Sequence, residues 1–320
     1  MYRVQHRCFS HLYTPIAPNI SILGQDINYY RHLENYHTQT ENLDGHFYST
    51  IWGQMPHGHP VFDMEEVMEE PLNTFDRFLC PPFENQLYRF AFCYLYFTCQ
   101  THAITILWRK LAYRNRPSAN LNNWFHDIFL MKKVNVFCFG GGAGSEIVGF
   151  YQWLKVIQTQ PRFHCTIIDV YNWVVETKPL FRKIDSNLFV PSFHELQFLK
   201  IFPFYTDKSR ISHDLCNADL ITVGKYLSSL PMNFETVMHF KCLLDQMKSK
   251  ALLFFIDDVG NGYVEAMGNI AICAGLDQIG EIGDITIPIP NYEVEAMNAE
   301  HFNIRPNTSI RVCASLWQKP

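Results

Sequence analysis

The feature that most constrains this chain is a strand-like run that ends in glycine. Residues 134–150 read VNVFCFGGGAGSEIVGF; four of the five positions 140–144 are glycine, and a helix-like segment follows. Glycine at that density marks backbone that takes φ > 0 or that something approaches closely. The partner in that approach is a phosphate, a dinucleotide, another cofactor or only the neighbouring strand.

The texture of the chain changes at this point. From 134 onward, apolar runs read as strands at 134–139, 163–168, 197–203, 219–223, 251–256, 282–289 and 309–317. Helix-like segments at 145–159, 171–186, 233–249 and 261–274 lie between them, with a less regular link at 204–218. Near-continuous apolar strands alternating with helices imply a parallel sheet covered on both faces. Only a loop with Pro288, Pro290 and Pro306 and a short helix-like stretch, 293–302, separate the last two strands, so the final strand is expected to pair antiparallel. The expected fold class is therefore α/β, with three layers around a seven-stranded, mostly parallel sheet and an antiparallel last strand. Residues 1–130 differ, with many aromatics and histidines and an acidic patch at 63–70. Pro81-Pro82 precedes a long helix expected over 84–115, and a shorter one is expected at 121–132. The chain thus divides into a mainly helical N-terminal region, 1–130, acting as a cap or substrate-selecting part, and a domain at 131–320.

Composition narrows the classes. The chain has 320 residues, 48% hydrophobic and 18% charged, enough for a full globular core. A net charge of −5 offers no global attraction for nucleic acid or an anionic membrane. The apolar run 90–108 is interrupted by Thr98, Gln100, Thr101, His102 and Thr105, so it reads as a buried helix and no membrane span is expected. The ten cysteines form no CxxC pair, and the histidines form no HxxxH pair on a convincing helix, so no metal site is expected. Cys138 and Cys313 sit in apolar runs as small hydrophobes. Without a secretory signal at the N-terminus, a reducing location is expected, cytoplasmic or nuclear.

Spacing decides what the glycines can hold. A P-loop requires GxxxxGK[ST], but Gly149 is followed by Phe150 and Tyr151, with no lysine for a phosphate. A dinucleotide fingerprint, GxGxxG or GxGxxA, begun at Gly140 and Gly142 ends on Ser145. What fits is GxGxG at Gly140, Gly142 and Gly144, with Ser145 and Glu146 suited to the start of the helix. Together with the acid Asp169 at the end of the next strand, this segment resembles motif I of the class I S-adenosylmethionine-dependent methyltransferases. The resemblance extends over roughly 134–317.

That resemblance implies a Rossmann-like fold, methyl transfer, S-adenosyl-L-methionine as cofactor and S-adenosyl-L-homocysteine as product. It implies that Gly140, Gly141, Gly142 and Gly144 lie under the cofactor's methionine part and ribose, and that Asp169 accepts from the ribose hydroxyls. Asp207 is then the contact for the adenine amine, with Asp214 as its competitor, and Trp173 can lie against the adenine ring. Lys225 and Tyr226 after the fourth strand, and Asp257 with Asp258 after the fifth, border the acceptor. Each has a plainer reading: a tight turn for the glycines, a helix cap for Asp169 and the Asp257-Asp258 pair, core for Trp173 and Tyr226, solvated surface for Asp207 and Lys225.

No catalytic residue is assigned, because in-line methyl transfer requires neither a covalent intermediate nor an obligatory base. The loop VGKY lacks the (D/N)PP(Y/F) of base-amine methyltransferases, and Pro231-Met232 is not the Pro-Cys of a cytosine C5 mechanism. The acceptor stays a small molecule, a protein or RNA, although no basic stripe marks nucleic-acid binding. The oligomeric state is left open. The alternative is a methyltransferase-fold protein that binds cofactor without turnover and serves as a scaffold.

Overall fold

Seven strands form one sheet in the order β3-β2-β1-β4-β5-β7-β6. They are β1 Lys133–Phe139, β2 Arg162–Asp169, β3 Phe189–Glu195, β4 Leu220–Gly224, β5 Leu252–Asp258, β6 Asp277–Pro288 and β7 Ser309–Gln318. In the computed structural model the described residues are 83–113, 123–125, 127–128, 132–156, 161–185, 187–195, 210–230, 232–260, 262–290, 294 and 306–320. The first five strands pair in parallel. β7 runs antiparallel to both β5 and β6, so the altered last strand is inserted between two neighbours.

The expected third strand, 197–203, lies outside the described residues, as do the patch at 63–70, Asp207 and nearly all of 293–302. The strand beside β2 is Phe189–Glu195, eight positions earlier than the apolar run suggests. It escapes a reading based on hydrophobicity because it is a sheet edge: only Phe189 is fully buried, and Pro191, Ser192, His194 and Glu195 dilute the pattern. Proline is tolerated at such an edge.

Six helices with described ends cover the sheet, and residues 123–125 and 127–128, inside the expected helix 121–132, are helical as well. α1 spans 86–113 in three stretches, Gln86–Phe92, a π-helical turn Cys93–Phe97 and Thr98–Tyr113. The others are α2 Ser145–Val156, α3 Val174–Asp185, α4 Arg210–Cys216, α5 Phe234–Asp245 and α6 Tyr263–Cys273. Successive strand residues point to opposite faces. Val134, Val136 and Cys138 meet α1, α2 and α3 on one side, while Phe137 and Phe139 meet α4, α5 and α6 on the other. Two apolar layers on one sheet give the three-layer arrangement.

α1 is long and apolar enough to cross a membrane, yet 78% of its most apolar window is buried in the fold. Its Trp108 stacks on Phe254 of β5 at 4.8 Å between centroids and meets Phe150 of α2 at 4.7 Å. Some of the polar residues that interrupt the run reach across to α2, whereas the Thr98 and Thr101 hydroxyls are buried without a hydrogen-bond partner among the described residues. Thr105 Oγ1 lies 2.9 Å from the Thr101 carbonyl and from Gln152 Oε1 of α2, and 3.1 Å from the Gly149 carbonyl, and Gln100 turns inward toward α2. The π turn changes which helical carbonyls are bonded within the helix, and that of Leu95 accepts the Asn307 N–H at 2.9 Å. Arg89 fastens the other end of α1: its guanidinium donates to Glu176 of α3 at 3.1 Å and to the carbonyls of Phe83 and Glu84.

Candidate functional site

β1 delivers the chain into the turn at 140–144. The Gly140 N–H donates to the Ile168 carbonyl at 2.9 Å, so the turn starts as an extension of the β1–β2 ladder. Gly140, Gly142 and Gly144 take φ of +63°, +44° and +85°, a region costly to residues with a Cβ. Space imposes a second condition. A Cβ at 140 would lie 2.4 Å from the Tyr226 ring, one at 141 would lie 2.8 Å from Cys138 Cβ, and one at 144 would lie 2.8 Å from Phe181. Gly142 differs: its nearest neighbours would be Trp173 at 3.8 Å and Asp169 Oδ2 at 4.0 Å. The turn is packed at both ends and bare in the middle, on the side of Asp169.

Asp169 closes β2. Its Oδ2 accepts the Gly142 N–H at 3.0 Å and its Oδ1 accepts the Tyr171 N–H at 3.2 Å. Burial pushes the carboxyl above its usual range, while these N–H groups oppose the rise. The Trp173 indole N–H also favours the charged form, although it is buried without a regular hydrogen bond. Helix capping falls to another residue, because Asn172 Oδ1 accepts the Val174 N–H at 3.0 Å. Each Asp169 oxygen accepts one bond and keeps capacity for another. That capacity, beside a Gly142 without a side chain, fits a vicinal diol such as a ribose. Trp173 is packed between α1 and the turn, with Phe83 at 5.3 Å and Phe92 at 5.7 Å. Asp214 is occupied elsewhere, accepting Thr166 Oγ1 at 3.0 Å. The acid level with Asp169 on the neighbouring strand is Glu195, which is exposed.

On the other side of the turn, β4 ends at Gly224. Lys225 has φ +48°, donates its N–H to the Ile256 carbonyl at 2.8 Å, and pairs its ammonium with Asp258 at the rim. Tyr226 is buried over Gly140. Asp257 is fully buried; Oδ2 accepts the Ser228 N–H at 3.0 Å and Oδ1 the Asp258 N–H at 2.8 Å. Burial raises its carboxyl, and the two N–H bonds make it a brace for the turn Leu227–Ser229. Of the four residues read as bordering an acceptor, Lys225 and Asp258 pair at the rim, whereas Tyr226 and Asp257 are buried.

The sequence reading passed over a buried acid at the same edge. Glu146, in the first turn of α2, is 6% exposed. Its Oε1 lies 1.8 Å from where a Cβ at 224 would be, so only glycine at 224 admits this carboxylate. Ser145 Oγ lies 3.3 Å from Glu146 Oε2 and 3.2 Å from Gln100 Oε1 of α1. A hydroxyl has one proton to give. Both contacts are satisfied together when a neutral Glu146 donates to Ser145 and Ser145 donates to Gln100. Burial pushes the Glu146 carboxyl from 4.5 up to about 7, which is consistent with that arrangement. The only sequence signal was a lone glycine at the end of an apolar strand. Among the described residues, no group of three His, Cys, Asp or Glu side chains could hold a metal ion.

The strand order reverses between β1 and β4, since β2 and β3 extend one way and β4 and β5 the other. Open α/β sheets bind ligands in the crevice at such a switch point, beyond the carboxyl ends of the strands. Gly142, Asp169, Glu146 and Gly224 all lie at that crevice. No curated protein matches the chain. Among solved structures it is similar to a precorrin-6y C5,15-methyltransferase from Geobacter metallireducens, with 8% identity and a TM-score of 0.37, covering 62% of this chain and 87% of that one. It is also similar to the N-methyltransferase NodS from Bradyrhizobium japonicum, solved with S-adenosyl-L-homocysteine, with 12% identity, a TM-score of 0.33, and coverage of 69% and 99%. An O-methyltransferase family protein from Burkholderia thailandensis shares 14% identity at a TM-score of 0.39, with coverage of 77% and 62%. A family model described as "Putative SAM-dependent methyltransferase" matches residues 89–260, from α1 to the end of β5 and the loop beyond it. The chain belongs to this family of S-adenosylmethionine-dependent methyltransferases.

Proposed function

We infer that Gly140, Gly141, Gly142 and Gly144 form the bed of the S-adenosylmethionine site and that Asp169 is its ribose anchor. One observation carries this reading: Asp169 is tied by Gly142 to the single uncrowded point of the turn, with acceptor capacity left on both oxygens. Bound S-adenosylmethionine supplies a methyl group on a positively charged sulfur. The chain contributes orientation and exclusion of water, which suffice for an in-line displacement. The turn fixes one side of the crevice, and the Phe83, Phe92 and Trp173 cluster walls it off from solvent along α1. Lys225 with Asp258 forms the polar rim that an acceptor meets at the carboxyl edge. Asp207 remains the proposed partner of the adenine amine. The acceptor is a small molecule, a protein or RNA. A reducing location, cytoplasmic or nuclear, belongs to the same proposal, with Cys93, Cys138 and Cys165 packed as buried thiols.

Calorimetry on the full chain tests the site. S-adenosylhomocysteine is expected to bind at or below tens of micromolar, NAD not at all, and Asp169→Ala is expected to weaken binding by about tenfold or more. Failure of the sulfur nucleosides to bind, or unchanged affinity in the variant, overturns the assignment.

A further inference from the structure

Glu146 is a buried carboxylate whose position the Asp169 reading does not use. It occupies the gap between β1 and β4, on the far side of the glycine turn from Asp169. Gly224 keeps that gap clear, because any side chain there would collide with Glu146 Oε1. A buried carboxylate is ordinarily stabilised by a cation, and among the described residues no ion pair involves Glu146. The charged and titratable groups that face it are few. They are Cys138 on β1, Asp169 at the end of β2 and Lys225 after β4, whose ammonium is held by Asp258. From α1, Gln100 reaches toward it through Ser145.

We propose that Glu146 is the carboxylate that receives the α-ammonium group of the cofactor's methionine part, in the gap that Gly224 leaves at the end of β4. The assignment rests on the cofactor site proposed above. A molecule anchored at its ribose by Asp169 and laid across the turn brings its other end to the β1–β4 gap. That end carries two cations, the sulfonium and the ammonium. The sulfonium has no N–H donor to offer a carboxylate. The ammonium carries three N–H donors and no transferable group. Its arrival favours the ionised carboxylate, so the proton on Glu146 leaves for solvent and Ser145 turns its hydroxyl to the freed oxygen.

The test uses the full chain and two ligands, S-adenosylhomocysteine and 5′-deoxy-5′-methylthioadenosine, which lacks the amino-acid part. Titration calorimetry at pH 7 in buffers of different ionisation enthalpy counts the protons exchanged. The unaltered protein is expected to release about half a proton with S-adenosylhomocysteine and none with methylthioadenosine. Glu146→Gln is expected to weaken S-adenosylhomocysteine about tenfold, abolish the proton release, and leave methylthioadenosine within about twofold. Gly224→Ala, which displaces the carboxylate, is expected to show the same selective loss. Equal weakening of both ligands makes Glu146 merely structural and overturns the proposal, as does proton exchange that is the same for both ligands in the unaltered protein. If the unaltered protein binds neither ligand, the cofactor site itself falls. If both bind and only the selectivity is missing, the site stands and Glu146 drops out of it.

Discussion

A hydrogen atom in place of a methyl group at residue 224 decides where the Glu146 carboxylate can lie. That carboxylate titrates at about 7 in the folded chain against 4.5 for an exposed glutamate. The folded state therefore holds the proton more tightly than the unfolded state does. Below about pH 4.5 the group is neutral in both states and carries no penalty. As pH rises from 4.5 to about 7 the unfolded chain gives up this proton while the folded chain keeps it, and about 3 kcal/mol of stability is lost. Replacing it with glutamine removes that cost. Glu146→Gln should match the parent near pH 4.5 and exceed it by up to about 3 kcal/mol at pH 8, measured by urea unfolding at both values. Equal stability at pH 8 would show that the carboxylate is not desolvated as described.

At the scale of elements, α1 is fixed to the methyltransferase sheet by one charged pair and a broad apolar seam. Glu176 is buried on α3, and burial raises its carboxyl while Arg89 opposes the rise. Removing the guanidinium leaves a buried carboxylate with no cation. Arg89→Met is expected to cost about 3 kcal/mol at pH 8, and less near pH 5, where Glu176 can accept a proton instead. In the double variant Arg89→Met/Glu176→Gln most of the loss should return; additive losses in the double-variant cycle would count against the pair. The same scale separates what the sequence made legible from what it did not. Strands buried on both faces, such as Leu252–Asp258 and Leu220–Gly224, announce themselves as apolar runs. β3 does not, because an edge strand shares its side chains with solvent. Ser145 and Glu146 were recognisable as suited to a helix start. That the acid turns inward depends on Gly224, 78 positions away and brought near by the β1–β4 pairing. The place of Asp169 at the tip of β2 was legible because the end of the strand after the turn is a local feature of the sequence.

For the whole molecule, β7 is the element on which the sheet closes. It supplies the antiparallel partner of β5 and, among the described residues, the only strand contact of β6. Deleting residues 309–320 should leave β5 with an unpaired edge and β6 detached, so the shortened chain is expected in the insoluble fraction. Recovery of a soluble monomer with native circular dichroism would refute that expectation. The Asn307 N–H bonded to the Leu95 carbonyl ties the entry to β7 back to the π turn of α1. The last described strand and the first described helix therefore settle together.

This insertion has a consequence for how the protein is born. A ribosome finishes β5 at Asp258 and must add the fifty residues 259–308 before the first residue of β7 appears. At typical elongation rates that interval is about 3–10 s. Throughout it the glycine bed, Asp169, Glu146 and Gly224 have already been translated, while the edge of β5 waits without its neighbour. The nascent chain thus carries its five parallel strands before it can seal its own border, and the burden of shielding that border falls on whatever accompanies it from the exit tunnel.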